Sequence, residues 1–200
     1  MSCSLPLQVL VFLIFLATTS LAGDPIIKDP SPDGRFALRI SDSKEDNAPP
    51  IVEIIEKKSG NVAGKLVTEY YGADHNSLLW SADAKRVAFA THGQKEGEVS
   101  VLFWNSTASK FEDVEIPEEL PSPDIKFPKN DSGSVKNYGG TPKPVRWLKS
   151  GDLLMSKNSI MMSRDSGATY TGTVTFTLVF DKRHHATIHD VSKTKTTVDK

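Results

Sequence analysis

The chain has 200 residues, of which 24 are Lys or Arg and 25 are Asp or Glu, so its formal net charge is −1. This near balance gives no electrostatic basis for binding a nucleic acid or an anionic membrane, and no basic stripe interleaved with aromatic residues is present. We therefore expect no nucleic-acid partner.

The N-terminal segment, residues 1–22, has the features of an export signal. Leu5–Leu16 is almost wholly apolar and is too short to cross a bilayer comfortably. Ser20-Leu21-Ala22 then supplies the small residues that signal peptidase needs at positions −3 and −1. We predict a signal peptide over 1–22 and a secreted or periplasmic protein. An uncleaved N-terminal anchor is the alternative.

The chain has one cysteine, Cys3, and it lies inside the predicted signal peptide. Cleavage after Ala22 would leave no thiol, which excludes disulfides and cysteine-bound metals in the mature protein. No apolar run after Ala22 approaches transmembrane length, so we expect no stable membrane insertion after signal cleavage.

The rest of the sequence consists of short apolar runs bounded by Gly, Asp, Ser, Asn or Pro. β-branched and aromatic residues dominate these runs, as is typical of side chains on a pleated, half-buried surface. The clearest runs are 35–40, 51–56, 86–90, 99–104, 152–155 and 173–180. Helical periodicity is almost absent. This pattern predicts an all-β fold.

Three stretches repeat one order of elements: a polar turn, an apolar strand, a polar loop, a longer apolar strand, a second turn and a last short strand. The first turns are Ser31–Arg35, Ser81–Lys85 and Lys149–Asp152, and Trp80 and Trp147 precede the second and third of them. Since one such sheet cannot bury both of its faces, the units are expected to stack face to face, with the tryptophans as anchors in the core.

The repeat units are assigned to about 27–67, 77–116 and 144–191, within a single domain over 23–191. Pro117–Pro144 is rich in proline and contains Gly139-Gly140. Because proline has no N–H to donate to a neighbouring strand, a central strand is disfavoured there. It is interpreted as a loop, and a mobile linker and a binding loop both stay open. The polar tail, 192–200, is expected to fray.

Two runs carry a family resemblance: Trp80-Ser81-Ala82-Asp83-Ala84-Lys85-Arg86-Val87-Ala88-Phe89 and Ser31-Pro32-Asp33-Gly34-Arg35-Phe36. Both resemble the WD40-like, TolB-type β-propeller repeat, whose signature is a polar turn entering a strand. The resemblance implies a propeller-like stack of about three antiparallel blade-type sheets. Propellers typically have four to eight blades, so the ring is expected to be incomplete within one chain. One hypothesis is that two chains complete a six-bladed ring as a homodimer, and the alternative is an open monomer whose free face docks on another protein.

The only histidine cluster is His184–His189. In a strand His185 and His189 would share a face, which makes them weak candidates for metal ligands. A solvated turn entering an outer strand is the preferred interpretation, so no metal site is predicted. No glycine-rich phosphate loop is present either, and no cofactor is predicted.

The other imidazoles are those of Asp74-His75 and His92. With Ser77 or Ser81 they would form a Ser-His-Asp set, but sequence spacing does not supply the geometry and no Gly-x-Ser-x-Gly elbow is present. No catalytic residue is assigned.

The candidate ligand-binding residues are Tyr70, Tyr71, Asp74, His75 and Tyr138. Tyr70-Tyr71 is an aromatic pair in a loop between two units, and loops on rigid sheets usually carry recognition. The main hypothesis is an exported binding or scaffold module that recognises a protein or cell-envelope partner through loops between its sheets. The alternative is a small exported hydrolase that depends on histidine.

Overall fold

The computed structural model describes residues 24–43, 45, 47–70, 72–93, 95–129, 131 and 135–199. The predicted signal peptide, 1–22, and the candidate Tyr71 therefore lie outside the described residues. Within the described part of the chain, no helix is long and apolar enough to span a membrane.

The prediction of an all-β fold is confirmed. Apart from a 3-10 turn at Ala73–His75, the regular elements of the described residues are strands. They are β1 Ile26–Lys28, β2 Phe36–Ser41, β3 Ile51–Glu56, β4 Val62–Leu66, β5 Asn76–Trp80, β6 Arg86–Thr91, β7 Val99–Asn105, β8 Lys110–Val114, β9 Val135–Gly139, β10 Pro142–Trp147, β11 Leu153–Ser163, β12 Thr169–Phe180, β13 Ala186–His189 and β14 Lys195–Asp199.

The strands of the described residues form three antiparallel sheets, each built on a four-stranded meander, and none of these sheets closes on itself. The first sheet has the order β1-β2-β3-β4 and the second β5-β6-β7-β8. The third has the order β10-β11-β12-β13, with β9 added beside β11 and β14 beside β12. Strands that follow one another in sequence are thus neighbours within each meander, as short hairpin connections favour.

The turns that open the first two meanders have the same hydrogen bonds. Ser31 Oγ donates to Asp33 Oδ1 at 2.6 Å and accepts from the N–H five residues further on. Ser81 Oγ donates to Asp83 Oδ1 at 2.6 Å and likewise accepts from the N–H five residues on. The matching serine and aspartate of the two runs therefore build matching turns.

The sheets stack face to face with the second sheet in the middle. One core cluster joins the first and second sheets, and its members include Leu38, Ile54, Val87 and Leu102. A second cluster joins the other face of the second sheet to the third, through Val101, Phe103, Leu153 and Phe176. Alternate residues of β6 and β7 point into different cores, because successive side chains of a strand point to opposite faces.

An indole hydrogen bond links each sheet to the one before it. Trp80 Nε1 donates to the carbonyl oxygen of Asp29 at 2.8 Å, and Trp147 Nε1 donates to that of Leu79 at 2.9 Å. Both rings also pack against the core between the two sheets that they join. The tryptophans therefore anchor the stack by packing and by a directional bond.

The third sheet is larger than the sequence predicts. β9 lies within the proline-rich segment predicted as a loop, and Pro142 and Pro144 lie on β10. Both strands are edge strands that pair with β11 alone, which is where proline is tolerated. The expectation of a frayed tail is also wrong, because β12 extends beyond β13 and its free backbone groups pair with β14.

The proline-rich segment is docked on the extended part of the third sheet. Ile125 is buried in a small cluster with Ala168 and Tyr170, and Phe127 lies edge-on to the Tyr170 ring at a centroid distance of 5.1 Å. The buried Asp131 accepts hydrogen bonds from the hydroxyls of Ser163, Ser166 and Tyr170. Of the two interpretations left open by the sequence, a mobile linker does not fit these contacts.

Candidate functional site

The loop between β6 and β7, residues 92–98, is the point around which the described candidate residues gather. Tyr70 contacts the start of this loop, His75 pairs with His92, and Tyr138 lies beside its middle. The hydrogen bond from His92 N to the His75 carbonyl, at 2.9 Å, continues the β5–β6 pairing into the loop. The fold thus brings together residues that are more than 60 positions apart in the sequence.

Tyr70 packs against Gly93, where a side-chain carbon would overlap the tyrosine ring. Its backbone N–H donates to Thr68 Oγ1 at 3.0 Å. Burial raises the pKa of the Tyr70 hydroxyl, and the neighbouring carboxylates of Glu96, Glu98 and Glu69 raise it further. Tyr70 therefore remains a neutral phenol that can donate a hydrogen bond at physiological pH.

His75 and His92 form a pair of imidazoles with their ring centroids 5.7 Å apart and their planes at 63°. His75 Nδ1 donates to the carbonyl oxygen of His92 at 2.6 Å. Because a carbonyl can only accept, this bond fixes the Nδ1–H of His75 and directs its Nε2 away from the loop backbone. The sequence analysis considered these two histidines together only as members of a hypothetical Ser-His-Asp triad.

A lysine from the first sheet ties the start of β5 in place. Lys28 Nζ donates to the carbonyl oxygens of Ala73 and Asn76, both at 2.8 Å. The Asn76 side chain is fully buried, and its Nδ2 donates to the carbonyl oxygen of Gly72 at 3.0 Å. Among the described residues, Asn76 Oδ1 is the buried side-chain atom without a hydrogen-bond partner. A ligand hydroxyl or an ordered water would satisfy it.

Positive charge surrounds His92. Burial lowers the pKa of His92, and the charges of Lys143, His75 and Lys28 lower it further, while Asp74 acts in the opposite direction. The imidazole is therefore neutral at physiological pH and lies in an electropositive setting.

Gly139 and Gly140 hold the loop against the third sheet. Gly140 N donates to the Lys95 carbonyl oxygen at 2.9 Å, and Glu96 and Gly140 form a parallel bridge. Gly139 has a φ of 116°, and a side-chain carbon there would overlap the same carbonyl. Only glycine combines this backbone conformation with such a close approach.

Tyr138 lies at a groove of about 500 Å³ next to this bridge. The groove is lined by Lys95, Glu96, Tyr138 and Lys157, together with small and polar residues. The Tyr138 side chain is 39% exposed, and the Lys136 ammonium lies 5.5 Å from the ring centroid. An exposed aromatic ring beside charges of both signs is well suited to contact a partner.

Asp74 is exposed on the 3-10 turn next to His75, at the edge of this site. The other sequence candidates do not join it, and Ser81 forms the turn described above. His189 bonds to Thr187 on β13, and His185 lies in the turn before that strand. Within the described residues, no group of three or more His, Cys, Asp or Glu side chains is arranged to hold a metal ion.

Another groove lies at the opposite end of the second and third sheets. It has a volume of about 640 Å³ and is lined by Trp104, Asp113 and His184 among others. Burial raises the pKa of Asp113. The Phe103 and His184 rings lie 4.7 Å apart between their centroids, with their planes tilted by 59°, so aromatic packing fills part of this end.

Sequence reasoning did not identify Lys28, Asn76 and Lys143 as members of the site around the loop 92–98. Each lies on the first strand of its meander, β1, β5 or β10. No signal in the sequence spacing groups them, because they come together through the stacking of the sheets. Their chemistry alone gave no indication, since lysine and asparagine are common on exposed strands.

Comparison of the sequence with protein families and with curated proteins, and of the fold with solved structures, found no match.

Proposed function

We propose that this chain is an exported module that binds a protein or cell-envelope ligand through the loops around residues 92–98. In this proposal the three sheets are propeller-type blades of an incomplete ring, and they act as a rigid support. The candidate ligand contacts are Tyr70, Asp74, His75 and Tyr138, with Tyr71 adjacent in sequence.

The observation that carries the proposal is the groove at Tyr138. Its aromatic ring is exposed, while the backbone beneath it is fixed by the close contact between Gly139-Gly140 and Lys95. A ligand that buries this ring would gain apolar contact without having to order a flexible loop, which favours binding. Large exposed side chains on a rigid backbone are common binding determinants.

The support for a binding role also comes from where the sheets place their loops. The loops 67–75 and 92–98 and the strand end at Gly139 come from different meanders and meet at one end of the stack. Recognition residues are frequently found on such loops, because the sheets hold them in fixed relative positions.

The proposal is tested by ligand capture with matched variants. The protein is immobilised without residues 1–22, exposed to native extracellular or envelope material, and crosslinked, and retained molecules are quantified by mass spectrometry. We expect the wild type to retain a ligand that the Tyr138→Ser variant does not retain. Val198→Ser, which removes a comparably exposed apolar side chain (46%) from β14, is expected to retain it. Equal capture by both variants and the wild type would contradict the proposal.

The hydrolase alternative has one observation in its favour, the fixed tautomer of His75. With Nδ1–H held by the His92 carbonyl, Nε2 has the lone pair that a general base requires. Hydrolysis of model esters and amides by the wild type, lost in His75→Gln and retained in His189→Gln, would support this function over binding.

A further inference from the structure

Basic side chains from β1 and β10 lie near the imidazoles of His75 and His92, at the loop 92–98. We define the basic cluster as Lys28, His75, His92 and Lys143. Lys28 is held beside the start of β5 by its two carbonyl contacts, and it retains one N–H for a further acceptor.

Lys143 reaches the cluster because β10 lies against the loop 92–98. Thr141, two residues before Lys143, contacts Gly97: a side-chain carbon on that glycine would lie 2.6 Å from Thr141 Cγ2 and 3.0 Å from His92 Cα. Thr141 directly precedes β10, and Lys143 is the second residue of that strand. The exposed ammonium is close enough for its charge to act on His92.

The two lysines of the basic cluster have no carboxylate partner within the described residues. The ion pairs there are formed by Arg39 with Glu53, Lys110 with Glu112 and Lys126 with Asp124. Asp74 is the one carboxylate whose charge acts on His92, whereas Glu69, Glu96 and Glu98 face Tyr70. Next to His92 two lysines therefore face one carboxylate, Asp74, while the three glutamates act on Tyr70, whose ring centroid lies 6.5 Å from that of His75.

We propose that the basic cluster binds an oxyanion group of the ligand, a carboxylate or a phosphate. This inference rests on the proposed binding function and adds the chemistry that the site recognises. Both lysines donate charged N–H groups, and Lys28 keeps one N–H free beside the 3-10 turn that carries His75, so an anion bound next to the paired imidazoles would accept charge-assisted hydrogen bonds. A divalent cation is disfavoured because the two ammonium groups would repel it.

Anion binding at this cluster is linked to the protonation of His92, whose pKa is lowered by burial and by the neighbouring positive charges. A bound anion stabilises the protonated imidazole of His92, so by linkage the anion must bind more tightly as the pH falls.

The test uses inorganic phosphate and acetate as probes, added at constant ionic strength to the protein lacking residues 1–22. The imidazole signals are followed by NMR at pH about 6 and about 8. We expect saturable shifts of the His75 and His92 signals, with several-fold tighter binding at the lower pH. A response to phosphate alone, or to acetate as well, identifies which oxyanion the site accepts.

Matched variants separate a specific site from general charge attraction. Lys143→Gln removes an exposed side chain and is expected to weaken the probe several-fold with the fold unchanged. Lys149→Gln, an exposed lysine in the turn before β11, is expected to have no effect. The absence of saturable shifts at His75 and His92, or an equal shift of His189, overturns the inference. The capture experiment with Tyr138→Ser tests the proposed function alone, and the NMR titration tests the anion site. A failure of one is therefore distinguishable from a failure of the other.

Discussion

The indole Nε1 of Trp147 donates to the carbonyl oxygen of Leu79 at 2.9 Å, and this bond repeats, one sheet further along, the 2.8 Å bond from Trp80 to Asp29. The two tryptophans occupy equivalent places, each just before the turn that opens the second strand of its meander. The first meander has Pro30 at this place, and proline offers no indole donor. The second and third sheets therefore each donate an indole hydrogen bond to the sheet before them, whereas the first sheet has no donor at this place.

We expect Trp147→Phe to lower the free energy of unfolding by about 1–2 kcal/mol beyond the effect of ring size, because it leaves a partly buried carbonyl without its donor. Urea denaturation followed by circular dichroism measures the change. Trp104→Phe is the control, since within the described residues Trp104 packs against Phe36 and Phe111 without such an inter-sheet bond. Equal losses in the two variants would show that the hydrogen bond contributes nothing.

The turn at Ser81 contains a strained alanine. Ala84 has a φ of 55°, whereas Gly34 at the equivalent place of the first turn has a φ of 73°. A left-handed conformation costs a non-glycine residue about 1–2 kcal/mol, and glycine loses part of that gain to its flexible unfolded state. We expect Ala84→Gly to stabilise the protein by about 0.5–1 kcal/mol in the same assay. Destabilisation by this substitution would rule out relief of strain.

The stability of the protein is expected to fall as the pH is lowered through about 6.5, the ordinary pKa of histidine. The pKa of His92 is lower in the folded state, so between the two values the unfolded chain binds the proton and the folded chain does not. The free energy of unfolding, measured by urea denaturation above pH about 5, should depend less on pH in His92→Gln. Exposed His189→Gln serves as control, and an unchanged slope in His92→Gln would contradict this assignment.

Asp131 is expected to fix the proline-rich segment on the third sheet. Asp131→Ala removes the acceptor of three hydroxyls, one of them from the buried Tyr170, and should cost about 2 kcal/mol. Limited proteolysis should then cut the segment 117–129 faster. Asp124→Ala, which removes an exposed ion pair with Lys126, should change neither stability nor cleavage. Equal protection in both variants would show that Asp131 does not fix the segment.

We expect one chain per particle when the protein without residues 1–22 is weighed by light scattering after gel filtration. Completing a six-bladed ring would bury the outer faces of the first and third sheets. The former carries the Arg39–Glu53 ion pair, and the latter a row of threonines that includes Thr171 and Thr173. Burying these polar groups without partners is unfavourable, and Pro30 provides no indole donor. A mass of two chains would instead support the homodimer derived from the repeat resemblance.

The local pattern of the sequence was sufficient for the all-β class and for the repeated turns. Ser31 and Asp33, like Ser81 and Asp83, form hydrogen bonds within a few residues of each other. The geometry of these turns therefore depends little on the rest of the chain. The alternation of apolar residues likewise predicts strands wherever one face is buried.

The pattern was insufficient for β9 and β14, because their pairing depends on the length of β11 and β12 rather than on their own composition. The same is true of the candidate site. Tyr70, His75 and Tyr138 were identified as exposed candidates, but the loop that unites them, and the pairing of His75 with His92, are contacts between distant positions.

The sequence by itself determined most strands of the meanders, the turns and the tryptophans that anchor the sheets, since these follow from side-chain alternation and short-range hydrogen bonds. Only the tertiary structure decided which residues meet at the loop end. Lys28 lies on the first sheet, His92 in a loop of the second meander and Lys143 on the third sheet, and the stacking of the sheets brings their charges together. Such convergence has no signature in sequence spacing, because it depends on packing between elements rather than within them.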